Sequence, residues 1–318
     1  MDKQFTLSVL VVTYEPDPES LFRTLYSILI QKDVDFEIVI ADDGSGSFDF
    51  KSVEALMASW RFDDYRLVIS PENQGTVKNM IRGLTACQGR YVKDISAGDF
   101  LYDEYSLRYA LDAIEENNVP FVFGRAVHYS TDENGGIIVH NRSYPMDLDA
   151  YVRRDSDRIL FNYLLHRDYI LGAAFLIETR LYLDYMKRID NRITYTEDAC
   201  VILMVADGIR PFFMDRYFVW YETGEGISTS SNDSWSAILA EENREIYRIL
   251  DEHRLYDKNV CGWWSGEKKN LQIQCLRVYH RLWCEYHWRK LKRPGALPEP
   301  DTDLLKDILS AGMRTKGE

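Results

Sequence analysis

Residues 7–20 read Leu-Ser-Val-Leu-Val-Val-Thr-Tyr-Glu-Pro-Asp-Pro-Glu-Ser. The first six of these residues form a nearly continuous apolar run, which is typical of a strand buried inside a sheet. Two prolines and three acidic residues follow, a pattern that ends the strand and opens a helix with carboxylates near the positive end of its dipole. The stretch therefore predicts a strand followed directly by a helix, which is the repeating unit of α/β folds.

The same strand-then-helix unit recurs through residue 116. Strands that alternate with helices at this spacing predict an α/β fold with a doubly wound, mostly parallel sheet. In such sheets ligands bind beyond the carboxyl ends of the strands. Alternating residues around Asn134-Gly135-Gly136 predict a hairpin over residues 121–140. The predicted strands cover residues 7–12, 36–41, 66–69, 90–95 and 173–177, and the predicted helices cover 77–86, 104–116, 197–206 and 302–309.

The composition is that of an acidic globular chain. Of its 318 residues 46% are apolar, so it can bury a core and is not a disordered chain. The formal net charge of −13 disfavours nucleic acid as a partner. Five scattered cysteines without a Cys-x-x-Cys pair argue against a disulfide framework and favour a reducing, cytoplasmic compartment. We expect no secretory signal, and no apolar run approaches the roughly 20 residues of a membrane span.

Acidic and hydroxyl residues follow three of the first four predicted strands, at residues 13–15, 42–43 and 96–99. Clustered carboxylates at strand ends hold divalent cations that neutralise phosphates, or bind a base or ribose. The turn after the first strand lacks the Gly-x-Gly-x-x-Gly of dinucleotide-binding folds, and no Walker loop is present, so hydride transfer and P-loop chemistry are disfavoured. The pattern remains compatible with a site in which carboxylates, a metal ion and an aromatic ring bind a nucleotide.

An ordered set of six segments resembles the family 2 inverting glycosyltransferases with the GT-A fold. The resemblance covers roughly residues 5–230. It implies a GT-A catalytic domain over residues 1–226, with a Rossmann-like nucleotide-binding half and an acceptor half, and a helical extension over 227–318. The six segments are Val9 to Glu15, Ile38 to Ser45, Asn73 to Asn79, Gly89 to Val92, Ala97 to Asp99 and Thr196 to Asp198.

The resemblance assigns the donor site to five residues. Tyr14, between Thr13 and Glu15, is expected to stack on the nucleobase, because an aromatic ring presents a flat apolar face to a base. Asp43 is expected to accept a hydrogen bond from N3–H of uracil or thymine, which favours a UDP- or dTDP-sugar. The alternative for residues 42–45 is an acidic turn after a strand. Lys78 is expected to face the diphosphate, with a solvated helix lysine as the alternative.

Asp99 stands where this family has the last acid of a metal-binding Asp-x-Asp tract. The tract here reads Ser-Ala-Gly-Asp over residues 96–99, so a single acid remains. One carboxylate with phosphate oxygens and water can still bind Mg²⁺ or Mn²⁺. A capping role for Asp99 in the following turn is the alternative. Asp94, five residues earlier on the strand, is not assigned to the metal.

Asp198 is the catalytic base that the resemblance implies, with Glu197 as the second candidate. Inverting transfer requires a group that takes a proton from the acceptor hydroxyl as it attacks the anomeric carbon. Two acids that open a helix are also an ordinary helix start, so the family order and not the spacing points to catalysis. The small residues 172–174 are expected to line the acceptor pocket, with packing as the alternative.

Processive relatives carry Gln-x-x-Arg-Trp after the base. Gln274 to Arg277 is too far beyond Asp198 and lacks the Trp. Residues 219–229 instead resemble the segment that closes non-processive catalytic domains. The resemblance therefore implies transfer of a single sugar to a hydroxyl of a saccharide or lipid-linked acceptor, in surface-polysaccharide synthesis. A nucleotidyltransferase is one alternative, although residues 13–20 lack its basic, glycine-rich loop; a non-catalytic sugar-nucleotide-binding scaffold is another.

A basic, aromatic segment covers residues 263–293. Within it, residues 268–293 carry eight Lys and Arg and one acid, Glu285, a net charge of +7, which leaves −20 on the other residues. Helices that combine Lys and Arg with Trp, Tyr and Leu are suited to the surface of an anionic bilayer. The segment predicts peripheral contact with the inner face of the membrane. The alternative is that Leu271, Leu276, Trp283 and Leu291 pack on the catalytic domain.

Overall fold

The computed structural model describes residues 5–46, 49–140, 144–223, 233–252, 271–290 and 297–311. Within these ranges the strands form one sheet in the order β3-β2-β1-β4-β8-β6-β9-β5, and β7 pairs with β6. The strands are β1 Leu7–Thr13, β2 Phe36–Asp42, β3 Tyr65–Ile69, β4 Tyr91–Ser96, β5 Phe100–Leu101, β6 Phe121–Thr131, β7 Ile137–Val139, β8 Phe175–Glu178 and β9 Phe212–Glu222.

Helices cover both faces of this sheet. The helices are α1 Pro18–Leu29, α2 Phe50–Trp60, α3 Thr76–Ala86, α4 Ser106–Glu116, α5 Leu148–Val152, α6 Ser156–Phe161, α7 Thr179–Ile189, α8 Cys200–Ala206, α9 Asp233–Glu252, α10 Leu271–Lys290 and α11 Thr302–Ala311. None of them, within the described ranges, is both long and apolar enough to cross a membrane.

Strand β1 lies inside the parallel half of the sheet, between β2 and β4. Leu10 faces the core beneath α3, α7 and α8, whereas Val9 and Val11 face the core beneath α1, α2 and α4. Both faces of the strand are buried, so polar alternation is absent. β1 pairs in parallel with β2 and β4, and β2 with β3. The carboxyl ends of these strands therefore meet at one edge of the sheet.

The other half of the sheet is mixed. β8 runs antiparallel to both β4 and β6 and joins the two halves, while β6 and β9 pair in parallel. The predicted hairpin is confirmed as the antiparallel pair β6 and β7. The predicted strand at 173–177 starts later than expected, because residues 172–174 form a 3₁₀ turn. The predicted helix at 197–206 likewise begins as a 3₁₀ turn, Glu197–Ala199, and becomes α-helical at Cys200.

The C-terminal helices pack against the sheet domain. Ile246 and Leu250 of α9 are buried in the core that contains α7 and α8. Leu305 and Ile308 of α11 pack with Trp220 of β9 in a separate aromatic cluster. The predicted α/β fold with helices at its C-terminal end is thus confirmed. The predicted boundary at residue 226 falls outside the described residues and stays a prediction.

Candidate active site

The turn after β2 joins the ends of the first two strands. Asp42 is fully buried, and its carboxylate accepts hydrogen bonds from Thr13 Oγ1 at 2.9 Å and from Ser45 N at 2.8 Å and Oγ at 2.6 Å. The backbone N–H of Glu15 donates to Ser45 Oγ, and Glu15 Oε1 accepts from Gly46 N. These bonds hold the loops after β1 and β2 against each other.

Asp43 turns toward α3. Its carboxylate is 3% exposed and accepts from Gln74 N at 3.1 Å and from Gly75 N at 2.7 Å. The guanidinium of Arg82 lies 3.6 Å from Asp43 Oδ1 and also donates to the side chains of Gln74 and Asn79. Asp43 therefore fixes the start of α3 to the end of β2. The sequence analysis did not identify Arg82 as a site residue, because its position in the second turn of a helix does not show which side chains it contacts.

The predicted donor residues lie at one edge of the sheet. Thr13 and Asp43 are joined by a backbone hydrogen bond of 2.9 Å between Asp43 N and Thr13 O. The ring of Tyr14 is 53% exposed beside them, as a stacking surface requires. Lys78 is exposed on the first turn of α3, outside this hydrogen-bonded group.

A group of carboxyls lies at the end of β4 and on the 3₁₀ turn before α8. Asp94 of β4 is 6% exposed, and its Oδ1 has no hydrogen-bond partner among the described residues. Burial and then the charge of Asp94 raise the pKa of Asp198 to about 6. Burial and then the charge of Asp198 raise the pKa of Glu197 well above its ordinary value. The protonated form is thus favoured more at Glu197 than an ordinary glutamic acid would allow, and Asp198 is the carboxyl whose pKa lies nearer to neutral pH.

Gly172 of the predicted acceptor segment lies next to Asp198. A Cβ atom at Gly172 would lie 3.3 Å from Asp198 Cβ, so the glycine leaves the carboxylate room on that side. The expected role of residues 172–174 in lining an acceptor pocket stays a prediction. Residues 224–229 of the predicted closing segment lie outside the described residues.

Asp99 ends the turn after β4. Its N–H donates to Ser96 O at 3.1 Å, its carbonyl accepts from Thr24 Oγ1, and its carboxylate accepts from the backbone of Glu222. Burial raises the pKa of Asp99 to about 7, against the opposing charge of Lys93 and with the carboxylates of Glu222 and Asp94 adding to the rise. Lys93 itself is fully buried. Asp99 therefore lies among two further carboxyls, those of Glu222 and Asp94, and the ammonium group of Lys93.

The donor set around Asp99 fits a hard divalent cation. Among the described residues no three His, Cys, Asp or Glu side chains come together as a metal cage. Mg²⁺ and Mn²⁺ do not require one, since they are commonly bound by one or two carboxylates, substrate phosphates and water. Asp99 supplies one such carboxylate, and Glu222 lies beside it.

Comparison with known proteins places the chain among sugar transferases. Residues 8–190 match the family Glycosyl transferase family 2. An uncharacterized glycosyltransferase of Rickettsia conorii is 28% identical over 116 residues, which are 36% of this chain and 18% of that protein. S. aureus TarS 1-349 in complex with UDP-GlcNAc superposes with a TM-score of 0.48 at 16% identity, over 86% of this chain and 79% of that one. Its complex with UDP gives 0.47 at 14% identity, over 93% and 95%.

Proposed function

Because the chain belongs to glycosyl transferase family 2, we propose that it is an inverting, non-processive enzyme that transfers one sugar from a UDP- or dTDP-sugar to a hydroxyl group. The acceptor is a saccharide or a lipid-linked saccharide of surface-polysaccharide synthesis. The observation that carries the proposal is the position of Asp198 next to Gly172, on the same 3₁₀ turn as Glu197. Burial raises the pKa of both carboxyls, and adjacent carboxyls in such a site can divide the roles of base and hydrogen-bond donor.

Asp198 takes the proton of the acceptor hydroxyl as that oxygen forms a bond to the anomeric carbon. The bond from the anomeric carbon to the diphosphate oxygen breaks on the opposite face, and the electron pair leaves with the nucleotide diphosphate. One displacement inverts the anomeric centre, and no covalent enzyme intermediate forms. Glu197, whose pKa is raised well above its ordinary value, is the second candidate, and in its protonated form its O–H can donate a hydrogen bond.

The donor's base binds at the edge formed by Tyr14 and Asp43. The exposed ring of Tyr14 stacks on the base. A carboxylate offers about four acceptor positions, and Asp43 uses three of them for the N–H groups of Gln74 and Gly75. The remaining position can accept from N3–H of uracil or thymine, whereas adenine has an unprotonated ring nitrogen, N1, that cannot donate.

Asp99, with Glu222, is the residue that would hold Mg²⁺ or Mn²⁺ at the end of β4. When bound, the ion supplies positive charge that neutralises the leaving diphosphate. Lys78, exposed on the first turn of α3, is the side chain proposed to face the diphosphate.

A donor screen tests the function. The full chain is incubated with UDP-, dTDP- and GDP-sugars with Mn²⁺ or Mg²⁺, and released nucleotide is measured with and without saccharide acceptors. We expect release from UDP- or dTDP-sugars and little from GDP-sugars. Tight UDP binding in a thermal-shift assay without release from any donor would support the scaffold alternative instead, because a ligand of the folded state raises the melting temperature whether or not it reacts.

The proposal includes contact between α10 and an anionic membrane on the cytoplasmic side. One face of α10 packs inward, with the rings of His166 and His280 stacked at 3.9 Å and Trp283 against Arg158. The outward part of the helix is open and mixes exposed apolar side chains with Arg281 and Glu285, which form an ion pair at 3.2 Å. Its exposed side chains are Val278 at 58%, Tyr279 at 66%, Leu282 at 59% and Tyr286 at 54%. Residues 263–270 and 291–293 of the basic segment lie outside the described residues.

Vesicle sedimentation tests this contact. The full chain should bind vesicles of phosphatidylglycerol and phosphatidylcholine more tightly than vesicles of phosphatidylcholine alone. Replacing Tyr279, Leu282 and Tyr286 together by Ser should lower partitioning at least about tenfold, because each apolar side chain contributes to burial in the interface. The control Ile138→Ser removes an exposed apolar residue on β7 and should change nothing. Equal binding by the triple variant and the unchanged chain would contradict the contact.

A further inference from the structure

Glu242, in the middle of α9, reaches the segment that precedes the candidate base. Its carboxylate is 7% exposed. It accepts from the backbone N–H groups of Thr194 at 2.8 Å, Tyr195 at 3.0 Å and Thr196 at 2.9 Å, and from Thr196 Oγ1 at 2.8 Å. One side chain thus binds three consecutive amides directly before Glu197.

Three consecutive N–H groups can point at one carboxylate only if the backbone between them keeps one conformation. The same segment is held from the opposite side, because Thr194 O accepts from Val77 N of α3 at 3.0 Å. The ring of Tyr195 also packs edge-on against Trp235 of α9 at 4.9 Å. Asp198 follows two residues after the last bound amide. The direction in which its carboxylate points therefore depends on the hydrogen bonds from residues 194–196 to Glu242, which we call the clamp.

We propose that Glu242 is a positioning residue, which orients the turn bearing Asp198 for proton transfer; this inference rests on the proposed function. The carboxylate of Glu242 also lies near Glu197, and its negative charge is among the influences that keep the pKa of Glu197 high. Glu242 therefore fixes the turn and helps to keep the neighbouring acid protonated. It belongs to the helical extension and makes that extension part of the catalytic machinery.

Docking of α9 does not depend on Glu242. Arg192 binds Glu245 at 2.5 Å and Glu252 at 2.6 Å, both on α9. Ile246 and Leu250 of the same helix are fully buried in the core. Loss of the Glu242 carboxylate should thus leave the helix in place and free the three amides. Glu245→Ala provides the matched control, because it removes the ion pair between Arg192 and Glu245 of the same helix and leaves the clamp intact.

The experiment compares Glu242→Ala, Glu242→Gln and Glu245→Ala in the full chain. Glu242→Ala should lower kcat for transfer about 100-fold, because displacement of a catalytic group by about 1 Å costs rate on that scale, and should leave KM for the donor within about twofold. Glu242→Gln should fall between, because its amide oxygen still accepts while its NH₂ group opposes one N–H. Hydrogen exchange at residues 194–196 should accelerate in Glu242→Ala and not in Glu245→Ala.

The possible outcomes distinguish failure of the positioning role of Glu242 from failure of the proposed function. Unchanged exchange at 194–196, or a Glu242→Ala enzyme with kcat within about threefold of an active parent, would overturn the positioning role. Equal losses of kcat in Glu242→Ala and Glu245→Ala would overturn it as well, because general loosening of α9 would then explain both. A parent chain that transfers no sugar from any donor overturns the proposed function itself, and the role of Glu242 in catalysis with it.

Discussion

Replacement of Asp198 by Asn should lower the turnover number for sugar transfer about 1,000-fold, within the range that loss of a general base produces. Asn has nearly the same shape as Asp but cannot take a proton from the acceptor hydroxyl. The side chain contacts Gly172 rather than the predicted donor edge, so the dissociation constant for UDP should change by less than about twofold. Steady-state kinetics and calorimetric titration with UDP measure the two quantities.

Glu197→Gln is the matched control for Asp198→Asn. Burial and the charge of Asp198 raise the pKa of Glu197 well above its ordinary value, which favours its protonated form. Gln keeps a neutral group that donates a hydrogen bond, so turnover should fall less than about tenfold. Near-normal turnover in Asp198→Asn, or the larger loss in Glu197→Gln, would contradict the assignment of the base to Asp198.

The pH profile gives an independent readout of the same assignment. A general base works only when ionised, and the pKa of Asp198 is raised to about 6 by burial and by the charge of Asp94. The rate constant kcat/KM should therefore be level above that value and fall about tenfold for each pH unit below it. Glu197→Gln should retain this acid limb, and the residual rate of Asp198→Asn should lack it.

The strand-to-helix units and the acids at their ends could be predicted because they are local. The apolar run in β1 and the turn residues after β2 are fixed by their own sequence. Helix α2, helix α7 and strand β9 are not among the predicted elements, although α7 buries Tyr182, Met186 and Ile189 at helical spacing. The 3₁₀ turn at Glu197–Ala199 likewise reads as the first turn of a helix.

The partners of the site residues were beyond sequence reasoning. Asp43 reads as one of two turn acids, yet its carboxylate binds amides 31 and 32 positions away. Glu242 lies on an ordinary amphipathic helix, and its role depends on amides 46 to 48 positions before it. Asp94 was visible on its strand, but a sequence does not show that its carboxylate is buried near Asp198. The kind of chemistry that a residue can perform could be predicted from its type, whereas contacts between segments far apart in the sequence could not.

The second large effect is expected at Asp43. Asp43→Ala removes the acceptor of the N–H groups of Gln74 and Gly75 and the ion-pair partner of Arg82. Gly75 is buried, and a buried donor without an acceptor costs about 1–3 kcal/mol, so the free energy of unfolding should fall by about 1–3 kcal/mol. The dissociation constant for UDP should rise about 100-fold, because the variant loses both the base contact and the fixed start of α3.

The control for loss of structure alone is Asp17→Ala. Asp17 caps α1 by accepting from Ser20 N at 2.8 Å, at an exposed position. Loss of such a cap typically costs about 1 kcal/mol. This variant should unfold at a lower denaturant concentration and bind UDP as tightly as the unchanged chain, since α1 does not contact the Asp43 carboxylate through any hydrogen bond in the described residues.

A modified ligand separates a direct base contact from a structural role of Asp43. N3-methyl-UDP lacks the N3–H that Asp43 is proposed to accept, so the unchanged chain should bind it at least about tenfold more weakly than UDP, the scale of one hydrogen bond to a charged group. Asp43→Ala has no acceptor to lose, and its affinities for UDP and N3-methyl-UDP should be nearly equal. If Asp43→Ala discriminates between the two ligands as strongly as the unchanged chain does, the carboxylate only anchors α3 and another group reads the base.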